Sequence, residues 1–275
     1  MTIAARRRTY WALFFAAFVC LVAFFLLYLQ LPGAEKSPTF AAKAGAFGSF
    51  RLGGLSVSSQ LLAAGGTGLC ALYSALCLGF ILYSFRKTVS TEIWFFAFWV
   101  LSVGLEVLRL GVFRIAVDEG SAYWQLLATR ALLFARYSGY LSLFVSGLYA
   151  AGFRNEKLGS AIAIVLAISL GLAAAMPIDT GVYASTLELK PGYSEIDAIL
   201  VLVASLVTVA DYLYAARSTG EASYRLVALG TAAFIAGERL LATQWNPFAM
   251  LGGFVLLVLG SWLFVSRLHA YYLWQ

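Results

Sequence analysis

Eight apolar runs, separated by short polar or glycine-bearing segments, make up most of the chain. They fall at 11–31, 61–84, 92–117, 123–152, 158–177, 197–216, 224–243 and 247–266. Each is near or above the roughly 20 residues that carry a helix across a bilayer core. Short connections make sequential helices antiparallel neighbours. The pattern predicts an all-α fold, a polytopic integral membrane helix bundle of about eight transmembrane helices.

The runs divide the chain into three regions: a basic N-terminus and signal-anchor helix (1–31), an extracytoplasmic or interfacial segment (32–60), and a seven-helix membrane bundle with a short cytoplasmic tail (61–275). Arg6, Arg7 and Arg8 precede the first run, whose apolar core is longer than the usual signal-peptide core, and Pro32-Gly33-Ala34 is a poor cleavage site. An uncleaved anchor is expected. Ala17-Phe18-Val19, ahead of Cys20, also lacks the small residue of a lipoprotein signal. The 32–60 segment is rich in Gly, Ala and Ser, with Phe40, Phe47 and Phe50 set among Lys43 and Arg51. It reads as interfacial or re-entrant.

Composition excludes a water-soluble fold: 62% of residues are hydrophobic, 12% are charged and the mean hydropathy is +0.86. In this setting the net charge of +6 carries information about orientation, and no nucleic-acid partner is expected. With the N-terminus inside, ten basic residues fall at inner ends: Arg6, Arg7, Arg8, Arg86, Lys87, Arg154, Lys157, Arg217, Arg225 and Arg267. Four fall outside: Lys36, Lys43, Arg51 and Lys190. That bias predicts both termini in the cytoplasm of a bacterial-type inner membrane. Asp118, Glu119, Asp179, Glu188, Glu195 and Asp197 then border outer loops. Trp94, Trp124, Trp245, Tyr271 and Tyr272 fall at the expected interfaces.

The candidate chemistry lies in the charges placed inside the spans. Glu106, Arg109, Arg114, Arg130, Arg136, Asp211, Glu238 and Arg239 all sit in apolar runs, where a charge at mid-bilayer costs about 2.5–3.5 kcal/mol on insertion scales. Most of them belong to the outer half of the third, fourth and seventh spans. Glu106 and Arg109 are three residues apart on one helix face, and Arg130 falls at about the depth of Arg109.

Five arginines against three acids leave two arginines without a partner in this set. Two readings follow. In one, Arg114 and Arg239 snorkel to headgroups and the rest form structural pairs such as Glu106–Arg130 and Glu238–Arg109. In the other, Glu106 and Glu238 position Arg109, Arg130, Arg136 and Arg239 around an anionic ligand, since guanidinium groups offer paired donors to carboxylate or phosphate. An anionic lipid headgroup satisfies both. Asp211, between hydrophobic neighbours and Tyr212 and Tyr214, is either a proton-carrying site or a structural partner of Arg136 or Arg217. Glu92, after Ser90-Thr91, reads as part of a helix N-terminus.

Other chemistries find no support. The single histidine, His269, lies beyond the last apolar run, which argues against haem, a histidine metal site or a Ser/His pair. No lysine lies in a span, which argues against a retinal Schiff base. Cys20, Cys70 and Cys77 fall in apolar runs and read as packing residues. No cofactor or metal is expected, and no nucleophile and base stand together, so the chain does not read as an enzyme of a familiar class. No mid-span proline or internal repeat marks a secondary transporter.

The run ATRALLFARYSGYLSLFVSGLYAAG, with a basic anchor, one outer segment and then seven helices, resembles in outline the membrane part of bacterial seven-helix sensor modules. The function expected is a non-enzymatic ligand- or lipid-binding membrane module, a sensor or accessory subunit whose partners are the bilayer, an anionic lipid or small anion, and a protein. The alternative is a small transporter or proton-coupled permease using Glu106 and Asp211.

Overall fold

The computed structural model describes residues 3–30, 49–52, 55–85, 90–118, 120–153, 158–243 and 246–273. The helices are α1 (Ile3–Leu29), α2 (Ser59–Ser84), α3 (Thr91–Gly104), α4 (Leu108–Val117), α5 (Ala122–Ala150), α6 (Leu158–Ala175), α7 (Ser194–Thr219), α8 (Ala222–Thr243) and α9 (Pro247–Leu273). A 3₁₀ turn, Leu105–Val107, joins α3 to α4, and the three together form a single span, Thr91–Val117. Eight helices among the described residues are long and apolar enough to cross a membrane. Their bounds lie within a few residues of the apolar runs, except that α1 begins well before Trp11 and α9 runs past 266 to Leu273. His269 therefore sits on a helix, edge-on to Phe85.

The ends of the helices follow local rules. Ser90 caps α3 by accepting from the Ile93 amide at 3.2 Å, Asn246 caps α9 by accepting from the Ala249 amide at 2.7 Å, and α7 stops at Gly220 with φ +73°. Buried hydroxyls such as Thr67, Ser169, Ser205 and Thr231 donate to the carbonyl one turn earlier. No buried hydroxyl among these four is left without a partner in an apolar interior.

α5 lies between α3 and α7 with α6 packed beside it, α1 lies along α2, and α9 lies along α8. The α8–α9 crossing is closest because glycines face each other: a Cβ on Gly237 would stand 2.5 Å from the Gly253 carbonyl oxygen, and one on Gly260 2.6 Å from the Phe234 amide. At the centre Phe96, Trp99, Phe234 and Phe264 pack ring to ring, with Trp99 and Phe234 centroids 4.4 Å apart. The outer faces of α1 and α7 expose Phe15, Phe18, Leu202 and Leu206. Inside and outside are thus both apolar, as lipid-facing helices require. Trp94 is buried against Phe95 and Phe98.

Among the described residues, two short hairpins interrupt the helices. β1 (Ser49–Leu52) pairs antiparallel with β2 (Leu55–Ser58) just before α2. The expected interfacial or re-entrant segment otherwise lies outside the described residues. β3 (Ile178–Tyr183) pairs with β4 (Leu189–Pro191), with an irregularity between Asp179 and Tyr183. This second hairpin lies between α6 and α7, at the end of the bundle where α4 meets α5. We call it the hairpin end. Arg114 there pairs with Asp118 at 2.8 Å and donates to the Gln30 carbonyl at the end of α1.

Candidate functional site

Glu106 sits in the 3₁₀ turn. Three residues per turn bring positions i and i+3 into register, so Arg109 is stacked directly beside Glu106, and its Nε faces Oε2 of Glu106 as an ion pair. The Nη1 of Arg109 donates to the Ala242 carbonyl on α8 at 3.4 Å. From α5, Arg136 forks onto the same carboxylate, Nε to Oε1 at 2.7 Å and Nη2 to Oε2 at 3.0 Å. This is the two-pronged geometry that suits guanidinium and carboxylate.

The fourth member comes from outside the helices. Glu188, in the turn between β3 and β4, accepts from Arg136 Nη2 at 2.5 Å and lies 3.6 Å from Arg109 Nε. Thr186 donates to its other oxygen at 3.0 Å. Side-chain exposures of 4%, 5%, 11% and 11% for Arg109, Glu106, Arg136 and Glu188 make this a buried cluster, with two positive and two negative charges in balance. A buried charge is tolerated only when paired in this way.

The turn that delivers Glu188 is held by burial of its flanks. Leu187 has φ +68°, a left-handed backbone uncommon for a branched residue. Leu187 and Leu189 are wholly buried against Ala63, Leu110 and Phe113. Burying a leucine contributes about 1.5–3 kcal/mol, enough to offset a local strain of order 1–3 kcal/mol. Tyr183 closes the hairpin by donating to the Gln125 side chain on α5, and Gln125 in turn donates to the Gly120 carbonyl at 3.2 Å. Burial pushes the Tyr183 phenol above its ordinary range.

A second couple lies beside the cluster on α5 and α8. Tyr140 donates to Glu238, and Arg239 Nε donates to the Tyr140 hydroxyl at 2.9 Å. The guanidinium of Arg239 lies 4.9 Å from the Tyr140 ring centroid and 3.3 Å from Glu238. Unlike the other arginines in the two groups, Arg239 leaves 37% of its side chain exposed.

The structure therefore brings together Glu106, Arg109 and Arg136, and beside them Glu238 and Arg239. It does not bring in Arg130, which is exposed on α5 and has no ion pair among the described residues. The pairs Glu106–Arg130 and Glu238–Arg109 give way to Glu106–Arg109, Glu106–Arg136 and Glu238–Arg239. Asp211 does not meet Arg136. It is half-buried beside Gly147, and its Oδ2 has no hydrogen bond among the described residues. Once Glu188 and Asp118 are counted, each of these arginines except Arg130 has an acidic partner.

Sequence reasoning missed Glu188, Tyr140 and Tyr183. One signal pointed to the first: Leu187 and Leu189 flank it in the loop between two spans. At the opposite end of the bundle Glu92, besides the Ser90 hydroxyl at 2.8 Å, accepts from Tyr272 at 2.8 Å, its backbone carbonyl accepts from Ser146, and Ser146 meets Tyr212 at 2.7 Å. No group of three metal-ligating side chains stands together among the described residues.

By its eight apolar helices this is an integral, multi-pass membrane protein. Compared with protein-family models, with curated proteins and with solved structures, the chain finds no match in any of the three.

Proposed function

We propose that the protein is a non-enzymatic binding module, a sensor or accessory subunit, whose buried arginine pair accepts an anion in place of its own Glu188. The observation that carries this reading is the origin of the four charges. Glu106, Arg109 and Arg136 are fixed on membrane helices, whereas Glu188 arrives on an extramembrane hairpin. A carboxylate or phosphate that took its place would preserve the charge balance and release the hairpin. The change at the site would thus become a change in shape at the surface.

The excess of basic residues at the other end supports cytoplasmic termini and an inner-membrane setting, with the hairpin facing outward. A partner protein would read the hairpin. The permease alternative rests on Asp211, whose Oδ2 is unpartnered among the described residues; Glu106, tied by two guanidinium groups, fits a frame better than a carrier.

Titration of the purified protein with inorganic phosphate tests the exchange. Glu188→Gln removes the tethered competitor and leaves one arginine charge unbalanced, so the variant is expected to bind phosphate about tenfold or more tighter than wild type. Equal binding, or none by either protein, would overturn the proposal.

A further inference from the structure

A groove of about 550 Å³ runs between α7 and α8. Its lining includes small side chains, Ala198, Ser205, Ala232 and Ala236, which leave the space between the two helices unfilled. Its walls include Leu202 and Leu206, both among the most exposed apolar residues of α7. From Ala198 to Val209 it extends roughly 16 Å along the helix axis. Both helices are membrane spans, so the groove opens toward lipid. An apolar space of this kind does not hold water, which needs several polar partners.

One end of the groove is different. Arg239 and Thr243 close it at the hairpin end. The Nε of Arg239 is committed to Tyr140 and Glu238. Its two terminal nitrogens make no hydrogen bond among the described residues. Glu238 offsets much of the local positive charge, so what the site presents is a held pair of donors rather than a bare cation. Thr243 spends its hydroxyl on the Arg239 carbonyl at 3.0 Å, which leaves the guanidinium as the recognition element.

We infer that this groove is a specific phospholipid site: one acyl chain lies between α7 and α8 and the phosphodiester accepts from the terminal nitrogens of Arg239. A detergent-like hydrocarbon alone would fill the groove without needing Arg239. A free phosphate would need only the arginine. A phospholipid uses both, and its phosphodiester is anionic whatever the headgroup beyond it. This site is separate from the Glu188 exchange and stands or falls without it.

The protein is purified in mild detergent and analysed by native mass spectrometry, as wild type, Ala236→Phe and Arg239→Gln. Wild type is expected to retain one phospholipid. Ala236→Phe, which fills the groove and leaves Arg239 in place, is expected to lower that occupancy about tenfold, a difference of roughly 1.4 kcal/mol. Arg239→Gln is expected to lower it as well. Failure of wild type to retain phospholipid, or full retention by Ala236→Phe, overturns the inference. A phospholipid with a photoactivatable group in its acyl chain gives a second measurement on wild type alone. Labelling concentrated on 198–209 and 232–243 supports the site, and labelling spread over the exposed faces of all helices contradicts it.

Discussion

Arg136 of α5 holds Glu106 of the third span by two parallel hydrogen bonds, 2.7 and 3.0 Å long, and with its remaining reach holds Glu188 at 2.5 Å. One side chain thus joins two membrane spans to an extramembrane hairpin. It can do so because guanidinium is planar and presents several donors in fixed directions.

Arg136→Lys keeps the charge and loses the fork. An ammonium cannot bridge both oxygens of Glu106 and also meet Glu188, so a loss of about 1–3 kcal/mol in folding stability is expected. Arg136→Gln leaves a carboxylate uncompensated in the interior, and about 3–5 kcal/mol is expected. Thermal unfolding in one detergent should order the proteins wild type, Lys variant, Gln variant. Identical midpoints would show that the fork contributes nothing.

Attachment of the hairpin should depend on alkaline pH through Tyr183. Burial raises its folded-state pKa above the unfolded value, so its neutral form contributes fully below the unfolded pKa of about 10. That contribution is lost as the pH rises above it toward the folded pKa. Protease cleavage within 178–191 is therefore expected to accelerate above about pH 10. Tyr183→Phe should remove this part of the pH dependence, and an unchanged profile in the variant would assign the effect elsewhere.

Asp211 has a buried oxygen with no partner among the described residues. Removing an unsatisfied polar group relieves its desolvation cost, typically about 1–3 kcal/mol. Asp211→Leu is accordingly expected to keep or raise the unfolding temperature, since it deletes a cost and breaks no bond seen in the structure. A marked drop would reveal a partner, and loss of proton-coupled flux in liposomes with the fold intact would favour the permease reading.

The spans were legible because a bilayer demands long apolar helices, and no special residue was needed to find them. The Glu106–Arg109 contact was legible from a spacing of three, which the 3₁₀ turn makes closer still. Depth alone misled for Arg130. It lies six residues before Arg136 on α5, and at 100° per residue the two point about 120° apart. One faces the cluster and the other is exposed. Glu188 was hidden for a different reason: it lies 52 residues from Arg136, and the strands that carry it are too short to show an alternating pattern. Only the two leucines beside it betrayed that the loop turns inward.

Hydrogen–deuterium exchange of the hairpin, 178–191, tests most directly whether Glu188 is a replaceable partner of the arginine pair. Faster exchange is expected there in Glu188→Gln, with α5 remaining protected. Rising inorganic phosphate should produce the same local change in wild type. If phosphate leaves the wild-type hairpin as protected as before, and Glu188→Gln exchanges no faster, then Glu188 does not hold the hairpin and the cluster is a fixed structural brace.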